Sequence, residues 1–347
     1  MASTGKGLWI APAGIPVRRH SGAVPAHRLP VPAELLAELA ALAASRNGVF
    51  RVRDALDRGL THSQVRTLVR RGEWLSLGHG ALGFSAAAAG AEHLHRCVAR
   101  RDRLDRDAVV SHASAAVLHG FLYVDAPATP SVTVPRVTTV QHLGGLLSSR
   151  LLDAHVMTIG PLQVTTPART LVDLLRGAPD HYEAQAIADG AARIGLDVAS
   201  VVQVLDDCRG WPGIAQARAA WDLADGRMES PLESRNRLWF REGGLPAPVP
   251  QVTIRNRHGN FVARVDFLFE EHSTVVESDG RVKYSDPLRH DDEPRRTLWE
   301  EKRREDDIRE NGLEVVRSTW GDSKDKGASL VARVRRAFDR AGRRSAA

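Results

Sequence analysis

Cysteine is almost missing from this 347-residue chain: only Cys97 and Cys208 occur, far apart and with no CxxC or Cys/His pairing. That excludes a disulfide framework and a structural zinc site, and it fits a reducing compartment, the cytoplasm. Long apolar runs are lacking as well. The longest, Ser85 to Ala91 and Val109 to Gly120, fall short of the roughly 20 residues that span a bilayer, so no membrane partner is expected. The first 30 residues carry Lys6, Arg18, Arg19 and Arg28 without a continuous apolar stretch, so a secretory signal is not expected. There is no internal repeat, and no low-complexity run beyond Ala-rich helices.

What is present is a globular composition, 43% hydrophobic and 26% charged. The length suits two or three domains, because single cores rarely outgrow about 250 residues. Charge is unevenly spread: +6 over 1–84, −3 over 85–225 and +3 over 226–347. Basic ends fit a polyanionic partner, although an Arg-rich composition alone is weak support.

Periodicity divides the chain into four parts. Residues 1–30 are Gly/Pro/Ala-rich and aperiodic, a basic arm expected to be flexible. In 31–84, Leu35, Leu36, Leu39 and Leu42 have helical spacing. A second short helix closes at Gly59, and Thr61 caps a third that runs to Arg71. The alternating stretch from Glu73 to Phe84, around Gly78-His79-Gly80, suits a two-stranded wing. The whole predicts a winged helix. Residues 85–225 mix a helix at about 88–105, strands near 130–135, 155–159 and 162–165, and helices from Thr166-Pro167 onward, giving a mixed α/β middle domain. In 226–347 a helix with Ser230 as cap and Pro231 in its first turn precedes strands 251–254, 261–269 and 274–279. A helix over about 293–311 and a strand over 313–318 follow. The fold class is thus multidomain α/β.

Two constellations carry chemistry. On the third N-terminal helix, Thr61, His62, Ser63, Gln64, Arg66 and Arg70 alternate with apolar Val65, Leu68 and Val69, a polar face suited to base edges and phosphates of double-stranded DNA. The bland alternative is an exposed face on a protein-binding winged helix. In the C-terminal part Asp266 interrupts an apolar strand, and Glu277 and Asp279 stand at i and i+2 on the next, hence on one face. A hairpin would bring the three together. Such a cluster repels itself unless a cation neutralises it, and Mg²⁺, or Mn²⁺ in its place, takes this oxygen-rich setting. Metal-assisted phosphodiester hydrolysis is the matching chemistry. The competing reading pairs these acids with Arg264, Arg281 or Arg317.

Asp266, then Glu277-Ser278-Asp279, preceded by helical Glu233, resembles the PD-(D/E)XK nuclease core in the branch similar to very-short-patch-repair endonucleases. The resemblance implies a restriction-endonuclease-like α/β core in which these acids are catalytic and bind Mg²⁺. Asp279 stands where that family has its lysine, so Lys283 or Lys302 would replace it. The N-terminal part, with Ser111-His112-Ala113-Ser114 and Thr165-Thr166-Pro167-Ala168-Arg169-Thr170-Leu171-Val172-Asp173, resembles AbiEi-type antitoxins of type IV toxin–antitoxin systems. That implies DNA binding and a cognate toxin, or a repair partner for the nuclease-like half. The expectation is either a metal-dependent DNA endonuclease in phage defence, toxin–antitoxin action or repair, or an inactive, antitoxin-like transcription repressor.

Overall fold

The computed structural model describes residues 31–88, 90–104, 107–134, 145–279 and 303–345. The basic arm and both candidate lysines, Lys283 and Lys302, lie outside the described residues.

The N-terminal unit runs α1 (Ala33–Ser45), β1 (Phe50–Arg51), α2 (Val52–Asp57), α3 (His62–Arg70), β2 (Trp74–Gly78) and β3 (Ala81–Phe84), with the strands ordered β1-β3-β2. This succession, two helices followed by an antiparallel hairpin, is that of a winged helix. The hairpin turns through Gly78, His79 and Gly80, all at positive φ, where glycine costs nothing. Phe50, Trp74 and Phe84 form the aromatic heart of the unit, with ring centroids 5.0–5.8 Å apart. The core does not stop at the wing. Val49, Leu77 and Ala81 pack in one cluster with Cys97, Val98, Val110 and Val164 from beyond it. At Gly48 (φ +86°) a Cβ would stand 2.4 Å from the His95 ring, so glycine is required by close approach as well as by backbone angle.

The middle region holds α4 (Ser85–Ala88), α5 (Glu92–Arg101), β4 (Val109–Val110), α6 (His112–Leu118), β5 (Val132–Val134), β6 (Leu146–Ser148), β7 (Val156–Ile159) and β8 (Leu162–Thr165). The helix expected at about 88–105 is α5, which starts only after Gly90 takes φ +77°; the short α4 precedes that span. The five strands form a mixed sheet, β6-β5-β4-β8-β7. Helices α7 (Pro167–Gly177), α8 (His181–Arg193), α9 (Val198–Asp207) and α10 (Ile214–Asp222) follow. Thr166, Asp180 and Asp197 cap the first three through side-chain oxygens.

The sequence motifs of this region turn out to hold it together. The His119 ring donates to the Thr165 carbonyl at 2.7 Å, and the Thr165 and Thr170 hydroxyls bond at 2.6 Å. Arg169, wholly buried, donates from Nε to Asp173 at 2.8 Å, from Nη2 to Ser149 at 2.9 Å and from Nη1 to the Arg150 carbonyl and His155 Nδ1. His155 Nε2 in turn meets Asp207 at 3.0 Å. One guanidinium thus ties the 149–155 segment to α7, and His155 carries the tie on to α9. Its fixed fork of donors satisfies several acceptors that a lysine could not reach together.

The C-terminal unit comprises α11 (Pro231–Glu242), β9 (Val249–Arg255), β10 (Phe261–Phe269), β11 (Thr274–Asp279), a helical stretch α12 at 303–310, β12 (Glu314–Thr319) and α13 (Ala328–Ser345). Its sheet is ordered β12-β11-β10-β9, antiparallel except for β11 with β12. Phe240, Phe267, Phe269, Val276 and Val334 fill the layer under α11 and α13; Val265, Leu268, Val275 and Ile308 fill the layer under α12. Buried Asn236 joins α11 to two strands, donating to Ser278 at 2.9 Å and accepting from Ser318 at 2.7 Å. Helix α11 also packs on α8. Asp189 there, fully buried, accepts from Arg237 at 2.9 Å, from Gln185 and from the Asp225 backbone.

Candidate functional site

The winged helix builds its exposed face by capping. Thr61 accepts the Gln64 backbone N–H at 3.2 Å, and Gln64 Oε1 accepts the Thr61 N–H at 2.8 Å, a reciprocal capping box. Val65 and Leu68 are buried, while Thr61, His62, Ser63, Arg66 and Arg70 are exposed. His62, Arg66 and Arg70 follow at i, i+4 and i+8, one stripe of a helix. Gln64 is half-buried, and its carboxamide oxygen is spent on the cap. Sequence reading placed Gln64 among the base-contacting candidates without seeing that the box consumes this acceptor.

The acidic cleft lies on the C-terminal sheet. Phe267 pairs with Val276, and Asp266 and Glu277 stand one residue beyond that pair on their strands. Both are largely covered. Burial is the main reason both carboxyls are pushed above the ordinary range, and the Asp266 charge raises Glu277 further. Asp266 accepts the Ser278 N–H at 2.6 Å. Glu277 Oε1 accepts from Arg304 on α12 at 2.9 Å, and the same guanidinium reaches the Arg264 carbonyl. Asp279 sits two residues on, at the exposed strand end.

Glu233 is 4% exposed. Its two oxygens accept from the Glu229 N–H at 2.9 Å, the Ser230 hydroxyl at 2.8 Å and the Gln251 amide at 2.7 Å. It is the N3 member of a real cap, with its carboxyl raised first by burial and also by nearby Asp266. Of the arginine partners weighed from the sequence, Arg264 pairs with Glu229 and Arg317 with Glu305. The cation on Glu277 is Arg304, which sequence reading missed. It stands on the helix expected over about 293–311, of which residues 303–310 are described.

Among the described residues no group of three or more His, Cys, Asp or Glu is placed to hold one metal ion. With both Glu233 oxygens engaged and Glu277 ion-paired, this arrangement does not fit a Mg²⁺ site. Among the described residues, too, no helix is long and apolar enough to cross a membrane.

Residues 37–83, the span from α1 through most of the wing, match a family described as transcriptional regulator, AbiEi antitoxin. Over 285 residues the chain is 28% identical to two uncharacterized proteins of Mycobacterium tuberculosis, MT2308 of strain CDC 1551 and Rv2248 of strain H37Rv, covering 81% of this chain and 98% of each relative. The crystal structure of the RV2827C protein from the same species aligns with a TM-score of 0.34 at 15% identity, covering 58% of this chain and 80% of that one.

Proposed function

We propose that this protein is a DNA-binding regulator of the antitoxin type that contacts duplex DNA through α3. The observation that carries the reading is the capped α3 with its outward stripe of His62, Arg66 and Arg70, inside the segment that matches the AbiEi regulators. Short polar residues and a histidine at the helix start, with arginines further along, supply base-edge and phosphate contacts in a major groove. A cognate toxin is the partner this reading implies. Fluorescence anisotropy on duplex fragments from upstream of the protein's own gene tests it. Specific binding abolished by Arg66→Ala with Arg70→Ala is expected, and no duplex binding by the wild type overturns it.

A second reading, a Mg²⁺- or Mn²⁺-dependent endonuclease, is favoured by the neighbouring Asp266 and Glu277 with their raised carboxyls. The strand order and the helix on either side of the sheet also suit a PD-(D/E)XK core. This reading requires Arg304 to release Glu277, Asp279 to turn inward, and Lys283 or Lys302 to supply the positive charge. Plasmid incubated with purified protein and either ion decides between the two: nicking lost in Asp266→Asn supports the enzyme, and intact plasmid supports the regulator.

A further inference from the structure

The β9–β10 hairpin turns a large aromatic side chain into solvent by a specific device. Ala263 and Val265 are buried at 1% and 0% exposure, so an unbroken strand would send Phe261 to the same covered face. The register prevents this: Arg255 lies opposite Phe261, but Ile254 lies opposite Ala263, which inserts one extra residue. A bulge of this kind re-aims side chains at the cost of ladder pairing. Phe261 ends 65% exposed, the most exposed large apolar side chain among the described residues.

Its surroundings are basic and held in shape. Residues 249–265 contain Arg255, Arg257, Arg264 and His258 and not one Asp or Glu. Asn256 Oδ1 accepts the backbone N–H groups of His258 and Asn260 at 2.9 and 3.0 Å, and Arg255 Nη1 donates to the Gly259 carbonyl at 2.9 Å. Directly opposed residues on antiparallel strands share a face, so Arg255 stands on the same face of the hairpin as Phe261. Arg264 is neutralised by Glu229, which leaves the charge of the tip to Arg255 and Arg257, the latter donating from Nε to His258 Nε2 at 3.1 Å.

From this geometry we infer that the hairpin tip is a second nucleic-acid contact, which stacks Phe261 on an unpaired base while Arg255 and Arg257 neutralise the adjoining phosphates. An exposed ring beside arginines, on a rigid turn free of carboxylates, is the combination that holds single strands without regard to sequence. A protein partner is disfavoured by the narrowness of the apolar surface, one ring on a charged turn.

The inference extends the DNA-binding reading but is tested separately, by anisotropy with a fluorescein-labelled oligothymidylate alongside the duplex. Phe261→Ala should weaken the single strand about 5- to 150-fold, the range that loss of one stacked base gives, and leave duplex affinity unchanged. Phe261→Tyr should restore it. Arg66→Ala with Arg70→Ala should do the reverse, losing duplex and keeping single strand. If Phe261→Ala binds oligothymidylate as the wild type does, or shifts only the sedimentation of the free protein, the inference is overturned. Loss of both ligands in the α3 variant would also overturn it. Wild-type protein that binds the single strand through Phe261 but no duplex would instead remove the α3 reading and leave this one standing.

Discussion

Arg304 holds Glu277: its guanidinium, carried on the helix at 303–310, lies 2.9 Å from Glu277 Oε1 and is the strongest influence keeping that carboxyl from rising further. An organic cation thus stands against the acid that the endonuclease reading would give to a metal.

Arg304→Ala should therefore raise the Glu277 pKa further and, on the endonuclease reading alone, free that acid for a divalent cation. On that reading millimolar Mg²⁺ leaves the melting temperature of the wild type unchanged and raises that of Arg304→Ala, since a ligand bound only to the folded state stabilises it; on the regulator reading neither protein responds. Carboxyl chemical shifts against pH read the first effect, and a melting curve reads the second. Equal responses of the two proteins to Mg²⁺ would remove Arg304 as the competing ion.

Asp266 is raised mainly by burial. When a folded-state carboxyl lies above its unfolded value, the folded protein holds the extra proton between the two values, so stability falls as pH rises through that window. Asp266→Asn should accordingly be more stable than the wild type at pH 7, with the difference vanishing below about pH 4, where both states of the wild type are protonated. Each 1 kcal/mol corresponds to about 2–4 °C of melting temperature for a domain of 150–250 residues. A melting series from pH 3 to 8 checks the sign.

Arg66 and Arg70 are expected to act through phosphates or base edges. Each alanine replacement should lower the slope of log affinity against log salt by about one if the contact is to phosphate, and leave it unchanged if the contact is to a base. Anisotropy titrations between 50 and 200 mM salt distinguish the two.

Arg169 and Asp173 form a buried pair, with side chains 0% and 1% exposed. Arg169→Ala removes one partner and leaves Asp173 to Arg176 alone, 3.1 Å away, so the loss should stay at or below about 3 kcal/mol, the lower end of what a stranded buried charge costs. Urea unfolding should show that loss with DNA affinity per folded molecule preserved. A loss under 1 kcal/mol would mean that water replaces the guanidinium.

Local signals were legible where one residue type decides the outcome. Thr61, Ser230 with Pro231, and Gly78-His79-Gly80 mark two helix starts and the wing turn through chemistry confined to a few neighbours. The alternation of strands 261–269 and 274–279 likewise set Asp266 near Glu277. What escaped were partners decided by tertiary approach. Arg304 lies 27 residues from Glu277 and Gln251 lies 18 from Glu233, and nothing in a charge run says which arginine will face the sheet. The bulge that exposes Phe261 was equally hidden, because a one-residue slip leaves the apolar pattern of the strand intact. The Thr165–Asp173 motif was visible as a resemblance, but its physical sense came only with Ser149, Arg150 and His155 folded onto Arg169.

The contact between Asp189 and Arg237 bears on how such a chain can evolve. A descendant trimmed at about residue 225 would lose the helix that covers Asp189 and supplies its guanidinium, and would open the apolar Tyr182 ring to water. Gene shuffling can discard the second half only if helix α8 is rewritten in the same lineage. Shorter cousins that keep the first half alone should therefore carry a polar side chain where this protein has Tyr182, and can keep Asp189 as a solvated acid.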